Sequence, residues 1–272
     1  MNSRQLSGLR LIATAVLASL LLNGCILLPK YHADETAGWS AQKLYSEAKS
    51  NLADGNYEKA IQYFETLEGR YPYGPYAEQA QLDVAYAYWK DEEPASAVAA
   101  ADRFIHLHPS SPYVDYAYYL KGLANFNGTV GLFGGMIKQN PSLRDPRAAQ
   151  QSFEAFKELA TRYPKSKYTP DALARMKYLV NMLAMSDVNI AKYYYTRKAY
   201  VAAANRAKEA VEAYPQAPAR EEALAIMAES YGKLGIKQLR DDSYAVLKLN
   251  YPTSPYLDHP VNMSGRPWYQ FW

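Results

Sequence analysis

The chain has 272 residues, 49% of them hydrophobic and 14% aromatic, enough apolar surface for a sizeable core and too much for a mainly disordered protein. A single Cys excludes a disulfide framework or a multi-thiolate metal site, and four His leave little for a His cluster. A formal charge of +3 does not suggest a nucleic-acid-binding surface, and the aromatics are lopsided, with 26 Tyr against 7 Phe and 4 Trp.

The amino end has the three parts of an export signal. Arg4 and Arg10 supply a positive start, Leu11 to Leu22 form an apolar run, and Asn23 and Gly24 precede Cys25. Twelve apolar residues are too few to span a bilayer about 30 Å thick, so residues 1–24 read as a signal peptide that is removed. Leu22-Asn23-Gly24-Cys25 is similar to the lipobox of bacterial lipoproteins. That resemblance implies cleavage before Cys25, diacylation of its thiol and acylation of the new amino group. In enteric-type lipoproteins an Asp after the Cys retains the protein in the inner membrane. Ile26 therefore implies the periplasmic face of the outer membrane. Residues 25–39 then comprise the lipidated Cys and a tether reaching roughly 45–50 Å if fully extended. Loss of Arg4 and Arg10 takes the formal charge from +3 to +1.

Beyond the tether the chain repeats. Tyr71-Pro72, His108-Pro109, Tyr163-Pro164, Tyr214-Pro215 and Tyr251-Pro252 place their prolines 37, 55, 51 and 37 residues apart. Four residues after each Pro stand Tyr76, Tyr113, Tyr168, Ala219 and Tyr256; eight after it stand Ala80, Ala117, Ala172, Ala223 and, breaking the pattern, Pro260. Five before it come Leu67, Phe104, Leu159, Ala210 and Leu247. Apolar residues recur at helical spacing ahead of each proline, and the proline ends that helix. Ser111, Ser166 and Ser254 offer polar starts for the next one. Gly55-Asn56-Tyr57 and Leu234-Gly235 mark turns within a pair of helices. One such pair cannot bury its apolar faces, but a stack can. With Gly55-x-Tyr57-x-x-Ala60-x-x-x-Phe64, this register resembles the tetratricopeptide-repeat family over about residues 40–257. The expected fold is all-α: a right-handed solenoid of five helix pairs.

Two spacings exceed the basal 37, by 18 around residues 127–146 and by 14 around 181–195. The first excess is glycine-rich without a following Gly-Lys-Ser/Thr, so it is no phosphate cradle. It reads either as a plain connection or as a loop whose Leu132 and Phe133 meet a partner. The second, Ala191 to Tyr200, reads first as a longer helix with a Tyr-rich buried face. The alternative is a binding surface, because Tyr and Arg are enriched in interface hot spots.

Arg144-Asp145-Pro146 followed by Ala148, Phe153, Phe156 and Tyr163-Pro164, together with Tyr193-Tyr194, Arg197, Ala199-Tyr200 and Asn205-Arg206, narrows the resemblance. From the lipobox to about Ser254 the chain is similar to the BamD family, the tetratricopeptide lipoproteins of the outer-membrane β-barrel assembly (Bam) machinery. The resemblance implies a non-catalytic scaffold without cofactors. Its partners would be the periplasmic POTRA region of BamA, the other Bam lipoproteins and unfolded outer-membrane β-barrel proteins. On that footing Tyr194, Arg197 and Tyr200, in the carboxy-terminal repeats, are the candidates for coupling to BamA. Tyr57, Phe64, Tyr71 and Tyr86 are candidates for a substrate groove in the amino-terminal repeats. No nucleophile–base arrangement or metal spacing can be named, which disfavours an enzyme. The alternative is another periplasmic tetratricopeptide scaffold serving cell-wall or polysaccharide-export assembly. Residues 258–272, ending Trp268-Tyr269-Gln270-Phe271-Trp272, are expected to form a disordered aromatic tail or to dock on the solenoid or a partner.

Each buried methylene of an acyl chain contributes about 0.8 kcal/mol to membrane attachment. Cys25→Ala is therefore expected to move the protein from the membrane pellet to the soluble periplasmic fraction. A fully pelleted variant would show that the anchor lies elsewhere.

Overall fold

A computed structural model describes residues 34–130 and 146–263, with side chains throughout except at 127–130. The expected signal peptide, Cys25, Leu132, Phe133 and the final aromatic cluster lie outside the described residues. Two units divide at Trp39 and Ser40. In the first, residues 34–39 make a turn, with the Thr36 backbone N–H and hydroxyl donating to Asp34 Oδ1 at 2.9 and 2.6 Å, so this stretch is not extended.

The second unit holds ten α-helices among the described residues: α1 (Ala41–Ala53), α2 (Tyr57–Arg70), α3 (Pro75–Lys90), α4 (Pro94–Leu107), α5 (Val114–Val130), α6 (Arg147–Arg162), α7 (Thr169–Thr196), α8 (Tyr200–Ala213), α9 (Ala219–Lys233) and α10 (Lys237–Asn250). A single 3-10 turn, Pro255–Leu257, follows. Each helix packs on the next, and first helices of neighbouring pairs touch, α1 on α3, α3 on α5 and α7 on α9. This is the all-α stack of five pairs that the repeat implied.

The repeat proline sets one backbone shape five times. Tyr71, His108, Tyr163, Tyr214 and Tyr251 each end a helix at φ between −127° and −135° and ψ between 54° and 70°. Pro disfavours helical backbone at the residue before it. Each of these residues still donates its N–H to the carbonyl four back, on Leu67, Phe104, Leu159, Ala210 and Leu247. Those five side chains are buried, as are Ala80, Ala117, Ala172 and Ala223 eight residues beyond the prolines.

A second shape recurs seventeen residues before the proline. Gly55, Glu92, Lys198 and Gly235 have φ of 80°, 65°, 61° and 74°. After each, the next N–H reaches the carbonyl five residues back: Asn56 to Asn51, Glu93 to Tyr88, Ala199 to Tyr194 and Ile236 to Tyr231, at 2.8–3.0 Å. That is the helix-ending pattern that favours glycine. Units two and four place Glu and Lys there at a steric cost.

Core volume moves between positions while the stack is kept. Phe64 over Leu67 in α2 becomes Ala101 over Phe104 in α4, and α8 presents only Ala203, Ala204, Ala207 and Ala210. Each fully buried Phe contributes about 1.5–3 kcal/mol. Helices α5 and α6 approach closely, so that a Cβ added at Gly122 would overlap the Phe156 ring. Beside it the buried Ser152 hydroxyl donates to the Gly122 carbonyl at 2.9 Å.

Two of the serines do more than offer a polar start. Ser111 and Ser166 stand ahead of their helices, each accepting the N–H two residues on, and donate their hydroxyls to the preceding unit: Ser111 to Glu78 Oε1 at 2.7 Å, Ser166 to Asp115 Oδ2 at 2.6 Å. They latch one repeat to the next. The excess of 14 residues lies within α7, 28 residues and about 42 Å long. Fourteen residues are close to four whole turns, so the buried face continues in register. Its first half meets α5 and α6; from Ala184 through Val188 and Ala191 it joins the core of α8, α9 and α10.

Glu92→Gly is expected to raise stability by about 0.5–1 kcal/mol and Gly55→Ala to lower it by a similar amount. Gly122→Ala should cost about 1–3 kcal/mol by overpacking. Denaturant midpoints of the three variants check all three signs.

Candidate protein-interaction sites

The first helices of units one to four carry a chain of linked tyrosines. Tyr45 on α1 donates to Asp83 Oδ2 on α3 at 2.8 Å, and Lys49 lies 3.2 Å from the same carboxylate. The Tyr45 ring stands 5.5 Å from that of Tyr76. Further along, Tyr168 lies 5.1 Å from Tyr116 and stacks on Tyr119 at 4.8 Å. Tyr119 donates to Asp171 Oδ2 at 2.6 Å, and Arg175 donates to the same atom at 2.6 Å while its guanidinium lies 4.7 Å from the Phe126 ring centre. Burial, then the Asp83 charge, pushes the Tyr45 phenol up; burial, then Tyr168 and Tyr86, does the same at Tyr116. Against the cost of burial, the Tyr119 hydroxyl and Arg175 hold Asp171 below the ordinary carboxylate value.

Of the four residues expected to line a groove here, Tyr86 is half-buried, 5.6 Å from Trp89 and electrostatically coupled to Tyr116. Phe64 is fully buried, which removes it from any surface: it is a core residue of α2. Tyr57 and Tyr71 stand at opposite ends of α2, Tyr57 half-buried with the Lys90 ammonium 5.7 Å from its ring and Tyr71 exposed. The structure does not bring these two together. Tyr45, Tyr116 and Tyr119 were missed. The available signal was a first-helix tyrosine accompanied by a first-helix acid of the next unit.

The second site is the elbow between α7 and α8. Arg197 caps α7, exposed, its guanidinium 5.4 Å from the Tyr193 ring centre. Tyr193 meets Tyr194 edge-on at 5.8 Å, and Tyr195 meets Tyr200 edge-on at 5.2 Å. Tyr193 is 55% exposed, and Tyr194, Tyr195 and Tyr200 are half-buried, so the expected buried Tyr face of this helix is instead an accessible aromatic edge. Lys198 in the left-handed turn aims the elbow.

Behind the elbow, Glu229 on α9 joins three segments. It accepts from the Val261 N–H at 2.6 Å and from the Tyr195 hydroxyl. Burial pushes its carboxyl up, partly offset by those bonds. Lys192 on α7 pairs with Glu222 at 2.5 Å, and Glu222 accepts from Tyr256. Val261 is buried, so residues 258–263 are not the disordered start of the tail that the sequence suggested. Tyr195, Glu229, Lys233, Arg240 and Tyr244 line a cleft of about 530 Å³ against Tyr256–Pro260. Among the described residues no cluster of His, Cys, Asp or Glu is arranged to hold a metal, and no helix is long and apolar enough to cross a membrane.

The family model YfiO, outer membrane lipoprotein, matches residues 38–247. The outer membrane protein assembly factor BamD of Neisseria meningitidis serogroup A is 45% identical over 237 residues, covering 87% of this chain and 89% of that one. Proteins of the same description from Xylella fastidiosa (38% identity, 96% and 87% coverage) and Vibrio cholerae (36% identity, 92% and 99% coverage) are similar over comparable lengths.

The Tyr195 and Tyr256 phenols are each pushed up to about 12, first by burial and next by the charges of Glu229 and Glu222 respectively. An unfolded Tyr ionises near pH 10, so the fold favours the neutral phenol. The resulting stabilisation is complete below about pH 10 and disappears as pH rises through about 12. Urea midpoints should fall across that window, and tyrosinate absorbance should show these two groups titrating late. Tyr195→Phe should shallow the fall.

Proposed function

This chain belongs to the outer membrane lipoprotein family that its residues 38–247 match, and we propose that it serves as the lipid-anchored scaffold of the β-barrel assembly complex. It acts in outer-membrane protein assembly by holding partners in position, with no chemical step of its own. Cys25 carries the acyl chains, and residues 26–39 let the helical array stand off the periplasmic face of the outer membrane.

The observation that carries the reading is the elbow. Arg197 is exposed, stands at the helix cap beside the Tyr193 ring, which meets Tyr194 edge-on, and lies in a chain whose relatives are assembly factors. A guanidinium presented in this way pairs with a carboxylate through two parallel hydrogen bonds, and the rings exclude water from the pair. We assign this edge to the periplasmic POTRA region of BamA, with Arg197 as anchor and Tyr194 and Tyr200 as flanking contacts.

The tyrosine chain of the amino-terminal units suits unfolded barrel segments. Such segments carry aromatic and alternating apolar residues in extended backbone. Tyr rings give apolar area with little side-chain entropy to lose. Modest affinity would let cargo pass on.

Arg197→Ala is expected to weaken recovery of BamA with this protein by about 30-fold in affinity, corresponding to about 2 kcal/mol for a hot spot. Helical content should be unchanged, because Arg197 is exposed. Unaltered recovery of BamA by a folded Arg197→Ala variant would overturn the assignment.

A further inference from the structure

The repeat register runs past the last complete unit. Tyr251-Pro252-x-Ser254-x-Tyr256 repeats the entry to earlier first helices, and the Ser254 hydroxyl again accepts the N–H two residues on, at 3.3 Å. Among the described residues only the turn Pro255–Leu257 follows, and Pro260 stands at the place of the buried Ala. Proline lacks the donor a helix needs there. A thin segment therefore occupies the position of a sixth first helix. Its Leu257, Val261 and Met263 pack on the core of the last two units.

Space remains beside it. The cleft of about 530 Å³ adjoins a second of about 800 Å³, lined by Asp241, Tyr244, Ala245 and Lys248 on α10 and by the segment itself. Both share Tyr244 and Leu257. Positions 241, 244, 245 and 248 follow helical spacing along one face of α10, the face that a further unit would cover. The terminal units of a stacked array need such cover.

We propose that residues 264–272 of this same chain dock into that slot and cap the array. Continuity supports this occupant: Met263 is already packed on the core of the last two units, so residues 264–272 set out within reach of the slot. Extended, they reach about 30 Å, against about 21 Å for the length of α10. Their chemistry matches the lining. Trp268, Tyr269, Phe271 and Trp272 supply aromatic area beside Tyr195, Tyr244 and Tyr256 and ring faces for the cations of Lys233, Arg240 and Lys248, while Arg266 meets Asp258. Tethering raises the local concentration, so a weak intrinsic contact suffices.

Fluorine NMR of the full chain carrying fluorotryptophan tests the docking, with the tail signals assigned through Trp268→Phe and Trp272→Phe. Both are expected away from their positions in a free peptide of residues 264–272. Ala245→Arg, at an exposed residue that projects into the slot, should return them to the free-peptide positions, with helical content kept. The paired variant Lys233→Glu with Arg240→Glu should do the same. Tail signals coincident with the free peptide in the parent chain would overturn the proposal. So would displaced signals that both variants leave untouched, or displacement that vanishes on dilution, which would mean docking into a second copy.

Discussion

The array depends on one backbone constraint, the non-helical residue that precedes each repeat proline. At all five places the chain leaves the helix with its last N–H still bonded to the carbonyl of a buried residue. The helix end is thus tied to the core at the point where the chain turns away. The proline ring supplies the conformational bias, and the hydrogen bond avoids an orphaned donor. Because the same geometry recurs, each following helix leaves in the same direction and the units stack. The alanines eight residues on then find themselves buried, whatever fills the surface between.

Polar groups in this protein join units more than they fill sites. Ser111 and Ser166 each bond a carboxylate of the unit before, and Tyr45 and Tyr119 each bond a carboxylate of the next first helix. Neutral donors on half-exposed carboxylates fix geometry without burying uncompensated charge. The tyrosine excess in the composition follows from this arrangement. A phenol packs its ring between helices and leaves its hydroxyl for a neighbouring acid, two tasks that Phe cannot combine.

The sequence was most legible where a residue has one physical use. Repeat prolines, the alanines after them and Gly55 and Gly235 announced helix ends, close packing and left-handed turns. Glu92 and Lys198 occupy the same turn without a glycine to reveal it, and only the constant distance of seventeen residues to the proline betrays them. Phe64 carried the repeat motif and was therefore also a core residue; motif membership and surface display are competing demands on one side chain. The Ser–carboxylate latches and the bonds to Glu229 involve partners 32 to 51 residues apart, beyond any local pattern. Tyr194, Arg197 and Tyr200 were legible as a cluster through the resemblance, and the lengthened helix explains why they stand together at an elbow.

Helix α7 has a mechanical consequence. Its first half belongs to the core of the amino-terminal units, and its second half to the core of the last two. A regular repeat changes helices at that point, giving a loop about which neighbouring units can swivel. Here an unbroken rod of about 42 Å replaces the joint. The tyrosine chain and the Arg197 elbow are consequently separated by a rigid ruler. Relative movement of the two requires bending a helix rather than opening a hinge, so the protein presents its two surfaces at a set distance and angle.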